Sequence, residues 1–457
     1  SGPEEAVMAL YWLYKNEPEL KDKLSIPVRE SDYYNLATFW IENRGHHCGF
    51  PLWGTWGYRK SEKWIKDACY HQAEFGTHYR PSWGEYSQDS IPVLEQKTIE
   101  GHAVRATLMA TGLTAAALEN QSPQYIETAK RLWENMAGKR MFITGGGGAI
   151  HEDFLPTDAY LETCAAVGAG FFSQRMNQLT CNARYMDEVE RVLYNNVLTG
   201  VSLSGDKYTY QNPLNTDKPD RWEWHVCPCC PPMFLKIMAA MPGYIYAYQG
   251  DNVYVNLFIG SEVRIPVGDN SVRLKQLTSY PWHGAVSIQV NPDKASTFSM
   301  KVRIPGWAQG TENPYDLYQS NLKAPVKLKV NQEDVLLRIV DGYAEINREW
   351  KKGDHIELEL PMQPRLITAN KAVENLRGQV ALASGPIIYC FEDADNPELQ
   401  TFKLQAQTPL ELSHDSNLLN GVNIIKCQGD IPAKAIPYYA VANREESHSY
   451  KVWIPQK

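Results

Sequence analysis

The sequence predicts a helical domain over residues 1–243 followed by a β-sandwich region over 244–457, either two sandwiches or one with an extension. Three observations carry this. At 457 residues the chain exceeds what one ordinary core accommodates, so two or three domains are expected. Apolar residues recur at helical spacing through the first half, and near Gly243 the period shifts to alternation. Short alternating runs then follow one another between Gly, Pro, Asn and Asp turns, which is the pattern of a sandwich.

In chain order, residues 4–15 place apolar side chains at helical spacing until Glu17-Pro18 ends the run. Tyr33 to Glu42 reads as a second helix, and the Gly-, His- and Trp-rich stretch 45–60 reads as a loop. Helical patterns resume over 61–76, 98–119, 123–138, 159–178 and 184–198. Between them Gly145 to Gly148 follow Met141-Phe142-Ile143-Thr144; no Gly-Lys-Ser/Thr follows, so this is not a phosphate-cradling loop. Serial helices of this kind suggest a helical barrel or toroid. Beyond Gly243, Asn252 to Phe258, Val272 to Leu277, Ala285 to Val290 and Phe298 to Ile304 alternate. Val326 to Val330, Tyr343 to Ile346 and His355 to Leu360 continue the pattern.

Hydrophobic residues make up 43% and charged residues 21%, which is globular composition. Net charge is −8 with no basic run, so no footprint for nucleic acid is present. No apolar stretch reaches the length of a membrane span; Met233 to Met241 is short and carries Lys236. No signal peptide is visible at Ser1, where the chain opens directly into a helical pattern. The 13 Trp and 26 Tyr fit a core, but they also fit the aromatic faces of a sugar-binding cleft.

The chemistry concentrates in Glu223-Trp224-His225-Val226-Cys227-Pro228-Cys229-Cys230-Pro231-Pro232. Proline is favoured in a helix's first turn, so Pro231-Pro232 open a helix running through Met233 to Ala240 and leave Cys229 and Cys230 at its N-terminus. The helix dipole, and any metal present, pulls a thiol there towards thiolate. Single cysteines usually pack as small hydrophobes, the reading given to Cys48, Cys69, Cys181, Cys390 and Cys427. Three thiols in four positions exceed what packing needs. Adjacent cysteines do not easily bridge each other and nine is an odd count, so a metal or catalytic role is expected.

Upstream lies Leu161-Glu162-Thr163-Cys164. Residues two apart on a regular helix point about 200° apart, so the helix must start or distort here for Glu162 and Cys164 to share one metal. With two clustered thiols they make a Cys3Glu set, which suits zinc. Glu152, after the glycines, is on a loop, where a lone carboxylate is usually only solvated. His102, read as helical, fits a hydrogen-bonded core histidine equally well.

E-T-C-A, C-P-C-C-P, G-H-A-V-R-A and D-E-V-E-R-V-L-Y-N-N-V-L together resemble the glycoside hydrolase family 127 β-L-arabinofuranosidases. The likeness continues through Tyr210-Gln211-Asn212-Pro213-Leu214, Tyr280-Pro281-Trp282, Arg303-Ile304-Pro305-Gly306-Trp307 and Gly385-Pro386-Ile387-Ile388-Tyr389-Cys390, to Val452-Trp453-Ile454-Pro455. The resemblance implies an (α/α)6 barrel, incomplete at its N-terminus, followed by β-sandwich domains. It also implies a zinc held by Glu162, Cys164, Cys229 and Cys230, with Cys229 as nucleophile. Glu152 in H-E-D-F takes the place of the family's acid/base, and His102, Glu190 and Tyr210 fall at positions that contact the sugar. The implied reaction is retaining hydrolysis of an L-arabinofuranoside or similar sugar from plant-derived glycans.

Two departures bear on substrate choice. The segment between Glu152 and Glu162 is several residues shorter than is usual, and Gly2-Pro3 stands where the family commonly has Gly-His. Rival readings are a hydrolase of this family for another, acidic sugar, a non-catalytic zinc-stabilised carbohydrate-binding protein, and a redox protein using Cys227, Cys229 and Cys230. A carbohydrate is the expected partner, with a homodimer as the oligomer considered. Zinc-bound thiolates fit a bacterial cytoplasm or a periplasm.

Overall fold

The structure is a computed structural model that describes residues 3–45, 88–89, 91–147, 153–154, 160–322, 324–405, 407–428 and 431–457. The readings of 46–60 and 61–76, Cys48, Cys69, Gly2 and Glu152 lie outside the described residues.

Helices α1 (Pro3–Asn16), α2 (Glu30–Asn43), α3 (Ala103–Asn120), α4 (Pro123–Lys139), α5 (Thr163–Thr180), α6 (Arg184–Val192) and α7 (Cys230–Ala240) occupy the first half. They pack on one apolar core that includes Met8, Ile41, Leu113, Trp133, Phe172, Tyr185 and Ile237. Small residues allow the central helices to approach closely: a Cβ on Gly168 of α5 would lie 2.1 Å from the Thr107 hydroxyl of α3. Two helices begin later than their apolar spacing predicts. Helix α3 starts at Ala103 because His102 is the N-cap, at φ −60° and ψ 123°. Helix α5 starts at Thr163 because Glu162 is extended, at φ −131° and ψ 153°. Helix α6 runs on into a π-turn, Leu193–Val197.

From Tyr246 the chain is β-rich. A six-stranded sheet carries Ala285–Pro292 and Asn270–Thr278 at its centre, and a five-stranded sheet carries Ser296–Arg303 and Tyr343–Trp350. Their alternating residues, among them Val272, Ile288, Met300, Val302 and Trp350, form one core. A third, ten-stranded sheet holds Gln379–Ser384 and Ile387–Glu392. Both faces of this sheet are buried. Val380, Leu382 and Tyr389 pack on one side. On the other, Ala381, Ala383 and Ile388 share a core with Phe142, Ile143, Leu161 and Leu214 of the helical half. The β region thus supports the residues that lead into Glu162.

A buried charge network crosses the junction. Arg303 donates to Asp187 Oδ1 at 2.6 Å and to Glu190. Glu190 also accepts from the Tyr280 hydroxyl at 2.7 Å and from Trp307 Nε1 at 3.1 Å. Arg303 is fully buried, so its charge is compensated only within this network.

Candidate active site

Two distant segments meet as short extended pieces. Glu162 bridges Gln211, the Thr163 N–H donates to the Tyr210 carbonyl at 3.1 Å, and the Asn212 N–H donates to the Leu161 carbonyl at 3.0 Å. The Thr163 hydroxyl donates to the Thr209 carbonyl and accepts from the Asn212 amide, each at 2.8 Å. This pairing holds Glu162 outside the helix while Cys164 enters its first turn. The helix therefore starts between the two side chains, as a shared site requires.

Cys229 is the N-cap of α7, Cys230 its first residue, and Pro231 and Pro232 occupy its first turn. Both prolines fit there because the first-turn N–H groups lack intrahelical partners. The Sγ atoms of Cys164, Cys229 and Cys230 all lie within 4.8 Å of one another. Cys164 to Cys230 is 3.4 Å and Cys229 to Cys230 is 3.9 Å, and all three thiols are free. Cys164 and Cys230 are buried, whereas Cys229 is half-buried. Tyr208 packs against this group, with Tyr210, Trp222 and Met233 at its edge.

One thiolate is favoured, at Cys229. Hydrogen bonds from Cys164 and Cys230, with a further one from the Tyr210 hydroxyl, hold it far below the usual thiol range. Cys164 moves up, chiefly through its bond to Cys229. The Glu162 carboxyl is raised by burial, against hydrogen bonds from Tyr160 and Tyr210, and it also feels the Cys229 charge. Tyr160 is a residue that the spacing did not reveal: its hydroxyl donates to Glu162 Oε2. His102 is depressed by burial and by Arg105, with the Cys229 charge opposing them. It therefore lies within electrostatic reach of the thiols. Trp222 and His225, also not singled out by sequence, stack with ring centroids 4.5 Å apart, and His225 lies 4.9 Å from Tyr210.

Comparison with known proteins agrees with this constellation. The family model described as the beta-L-arabinofuranosidase GH127 catalytic domain matches residues 1–243. The GH127 middle domain matches 252–362, and the family 127 C-terminal domain matches 364–455. The chain belongs to glycoside hydrolase family 127. This family 127 chain is 31% identical to the non-reducing end beta-L-arabinofuranosidase of Bifidobacterium longum subsp. longum, over 93% of its own length and 68% of that protein. A solved GH127 beta-arabinofuranosidase superposes with a TM-score of 0.84 at 32% identity, over 99% of this chain and 68% of the other. A GH127 beta-L-arabinofuranosidase from Geobacillus stearothermophilus T6 gives 0.83 at 32%, over 99% and 72%. The protein is accordingly a glycoside hydrolase with a helical catalytic region followed by β-rich domains.

Of the residues expected at the family 127 site, the structure groups Cys164, Cys229 and Cys230 with Tyr210 at their edge, and Glu162 and His102 lie within electrostatic reach of Cys229. It draws Glu190 elsewhere. That side chain is 1% exposed, and both its carboxylate oxygens are taken by Arg303, Tyr280 and Trp307. These bonds engage Glu190 at the domain junction. Glu152 lies outside the described residues, but its neighbour is fixed. Asp153 accepts from Asn135 at 3.0 Å, Lys139 at 3.0 Å and Arg140 at 2.9 Å, which ties that position to α4.

The thiol group is suited to a metal ion. A tetrahedral ion at about 2.3 Å from each sulfur places sulfurs about 3.8 Å apart. The measured separations of 3.4 and 3.9 Å bracket that spacing. Three unbridged soft donors within 4.8 Å of one another form a group that could hold such an ion, with the buried Glu162 carboxyl within electrostatic reach of Cys229.

Proposed function

We propose that this family 127 chain is a retaining hydrolase of terminal β-L-arabinofuranosides, with the Cys229 thiolate as nucleophile and Glu152 as acid and then base. One observation carries the reading: Cys229 is half-buried at the head of α7 and receives hydrogen bonds that favour its charged form. The named activities of the relatives point to the sugar.

Glu162, Cys164, Cys229 and Cys230 would hold a zinc ion, whose charge would keep these thiols ionised. The remaining work falls to the chain. Tyr160 orients the Glu162 carboxylate, and Tyr210 donates to Cys229. His102 and Tyr210 contact sugar hydroxyls. The Cys229 sulfur forms a bond to the anomeric carbon as the bond to the leaving oxygen breaks, and Glu152 gives that oxygen its proton. Glu152 then takes a proton from water, whose oxygen displaces the sulfur. The thiolate returns and the sugar leaves with its configuration retained. The catalytic unit ends near residue 243, and the β region holds it in shape.

The test is turnover of an aryl β-L-arabinofuranoside by wild type and Cys229→Ala. Wild type releases the aryl group with retention and the variant does not. Release from another aryl glycoside only would keep the chemistry and replace the substrate. Sugar binding without release by wild type would favour a carbohydrate-binding role instead.

A further inference from the structure

A cavity of about 540 Å3 opens where the C-terminal ends of α3 and α5 meet α1 and the first hairpin of the β region, Tyr246–Gln249 and Asn252–Val255. None of the residues assigned to the thiol centre lines it. Its size falls within that of small-ligand sites, about 300–1,000 Å3.

The charges in this cavity do not balance. Its single carboxylate, Glu119, is already taken by three donors: the Tyr11 hydroxyl at 3.0 Å, Lys15 at 2.6 Å and Trp12 Nε1. Arg175, by contrast, makes no ion pair among the described residues. Its Cζ sits 4.2 Å from the centre of the Trp12 ring, and one N–H donates to Gln178 at 2.6 Å. The carboxylate that Arg175 senses, Glu5, is itself paired with Lys236 at 2.7 Å. A guanidinium over an indole face still offers its N–H fork, and the pairing that such a fork favours is a carboxylate. In a chain of net charge −8 this is a local positive site with unused donors.

The walls indicate the rest of the ligand. Tyr248 is 57% exposed, and its ring pairs with no other aromatic ring among the described residues. Tyr246, Gln178 and Gln249 stand beside it. Aromatic faces alternating with side-chain amides suit a sugar ring, which presents apolar faces and hydroxyl edges.

We propose that this cavity is a second saccharide site, selective for a sugar that carries a carboxylate, with the carboxylate on Arg175 and the ring against Tyr248. It lies apart from the thiols and stands whether or not Cys229 is the nucleophile.

Isothermal titration with trigalacturonate, its methyl ester and a glutamate-rich peptide tests the assignment on the full chain. Trigalacturonate should bind, with the methyl ester weaker by at least about tenfold, the value of one charged hydrogen bond. Arg175→Met should weaken trigalacturonate by a similar factor and leave aryl glycoside turnover unchanged. Tyr248→Ala should do the same, and because that side chain is largely exposed it decides the matter if Arg175→Met fails to fold. No binding of trigalacturonate, equal binding of its ester, no effect of Tyr248→Ala, or preference for the peptide would each overturn the proposal.

Discussion

The Cys164 and Cys230 sulfurs lie 3.4 Å apart across 66 residues of sequence, with no bond between them. A disulfide would require about 2.05 Å, whereas two ligands of one ion require the wider spacing seen here. Wild type should therefore carry one zinc per chain by elemental analysis. Cys230→Ala should lower zinc affinity, measured by chelator competition, by more than the roughly 10- to 100-fold typical of losing an outer-shell partner. Cys427→Ala, buried in the β region, should leave it unchanged.

Asp153 anchors the position beside Glu152. Burial acts to raise its pKa, but hydrogen bonds from Asn135, Lys139 and Arg140 outweigh this and hold it below the usual value. A depressed carboxylate stabilises the fold above its unfolded pKa and loses that contribution as pH falls through the folded value. Asp153→Ala should be less stable by about 1–2 kcal/mol at neutral pH, with the gap closing below about pH 4. Its turnover should fall more for poor leaving groups than for activated aryl glycosides. Equal loss on both would place the defect in folding rather than in protonation.

Arg303→Met should be the most damaging change at the junction. It leaves the buried Glu190 and the half-buried Asp187 without their cation, which costs about 3–5 kcal/mol. Burial already raises the Asp187 pKa and Arg303 opposes it, so removing that cation makes Asp187 easier to protonate and the deficit should narrow as pH falls. Denaturation followed at several pH values checks both the size and the sign.

Gly146→Ala should strain the wall behind Glu162. A Cβ there would meet the Asn196 amide nitrogen at 2.1 Å and Leu161 Cδ1 at 2.2 Å. Overpacking of this kind costs about 1–3 kcal/mol. Because Leu161 adjoins Glu162, zinc affinity should fall along with thermal stability. A stable variant with normal zinc binding would show that the glycine run yields without moving the ligand.

The legible parts of the site were the local ones. The spacing of Glu162 and Cys164 required a helix start or distortion there if the two share one metal, and Pro231-Pro232 marked the head of α7; both are decided within one turn of chain. Tyr160 was hidden because its role depends on where the 208–212 segment folds back on 161–163. The engagement of Glu190 at the junction was hidden for a related reason. Its partners Tyr280, Arg303 and Trp307 lie 90 to 117 residues away, and helical spacing carries no trace of them. The two halves of the fold were legible in their periodicities. The recruitment of Asn215–Thr216 and Tyr318–Ser320 into the third sheet was not, since strands of two or three residues leave no alternation to read.

The segment that joins Tyr210 to Cys229 is fastened by the far end of the chain. Asn215 Oδ1 accepts from the backbone of Val452 at 3.0 Å and of Trp453 at 3.1 Å, and the Tyr450 hydroxyl donates to the Pro213 carbonyl at 2.7 Å. Arg221 donates to the Val441 carbonyl at 2.9 Å. During synthesis, then, all three thiols leave the ribosome more than two hundred residues before the strands that secure the connection between them. Assembly of the thiol group therefore waits on strands made long after its sulfurs, rather than on the appearance of the cysteines themselves.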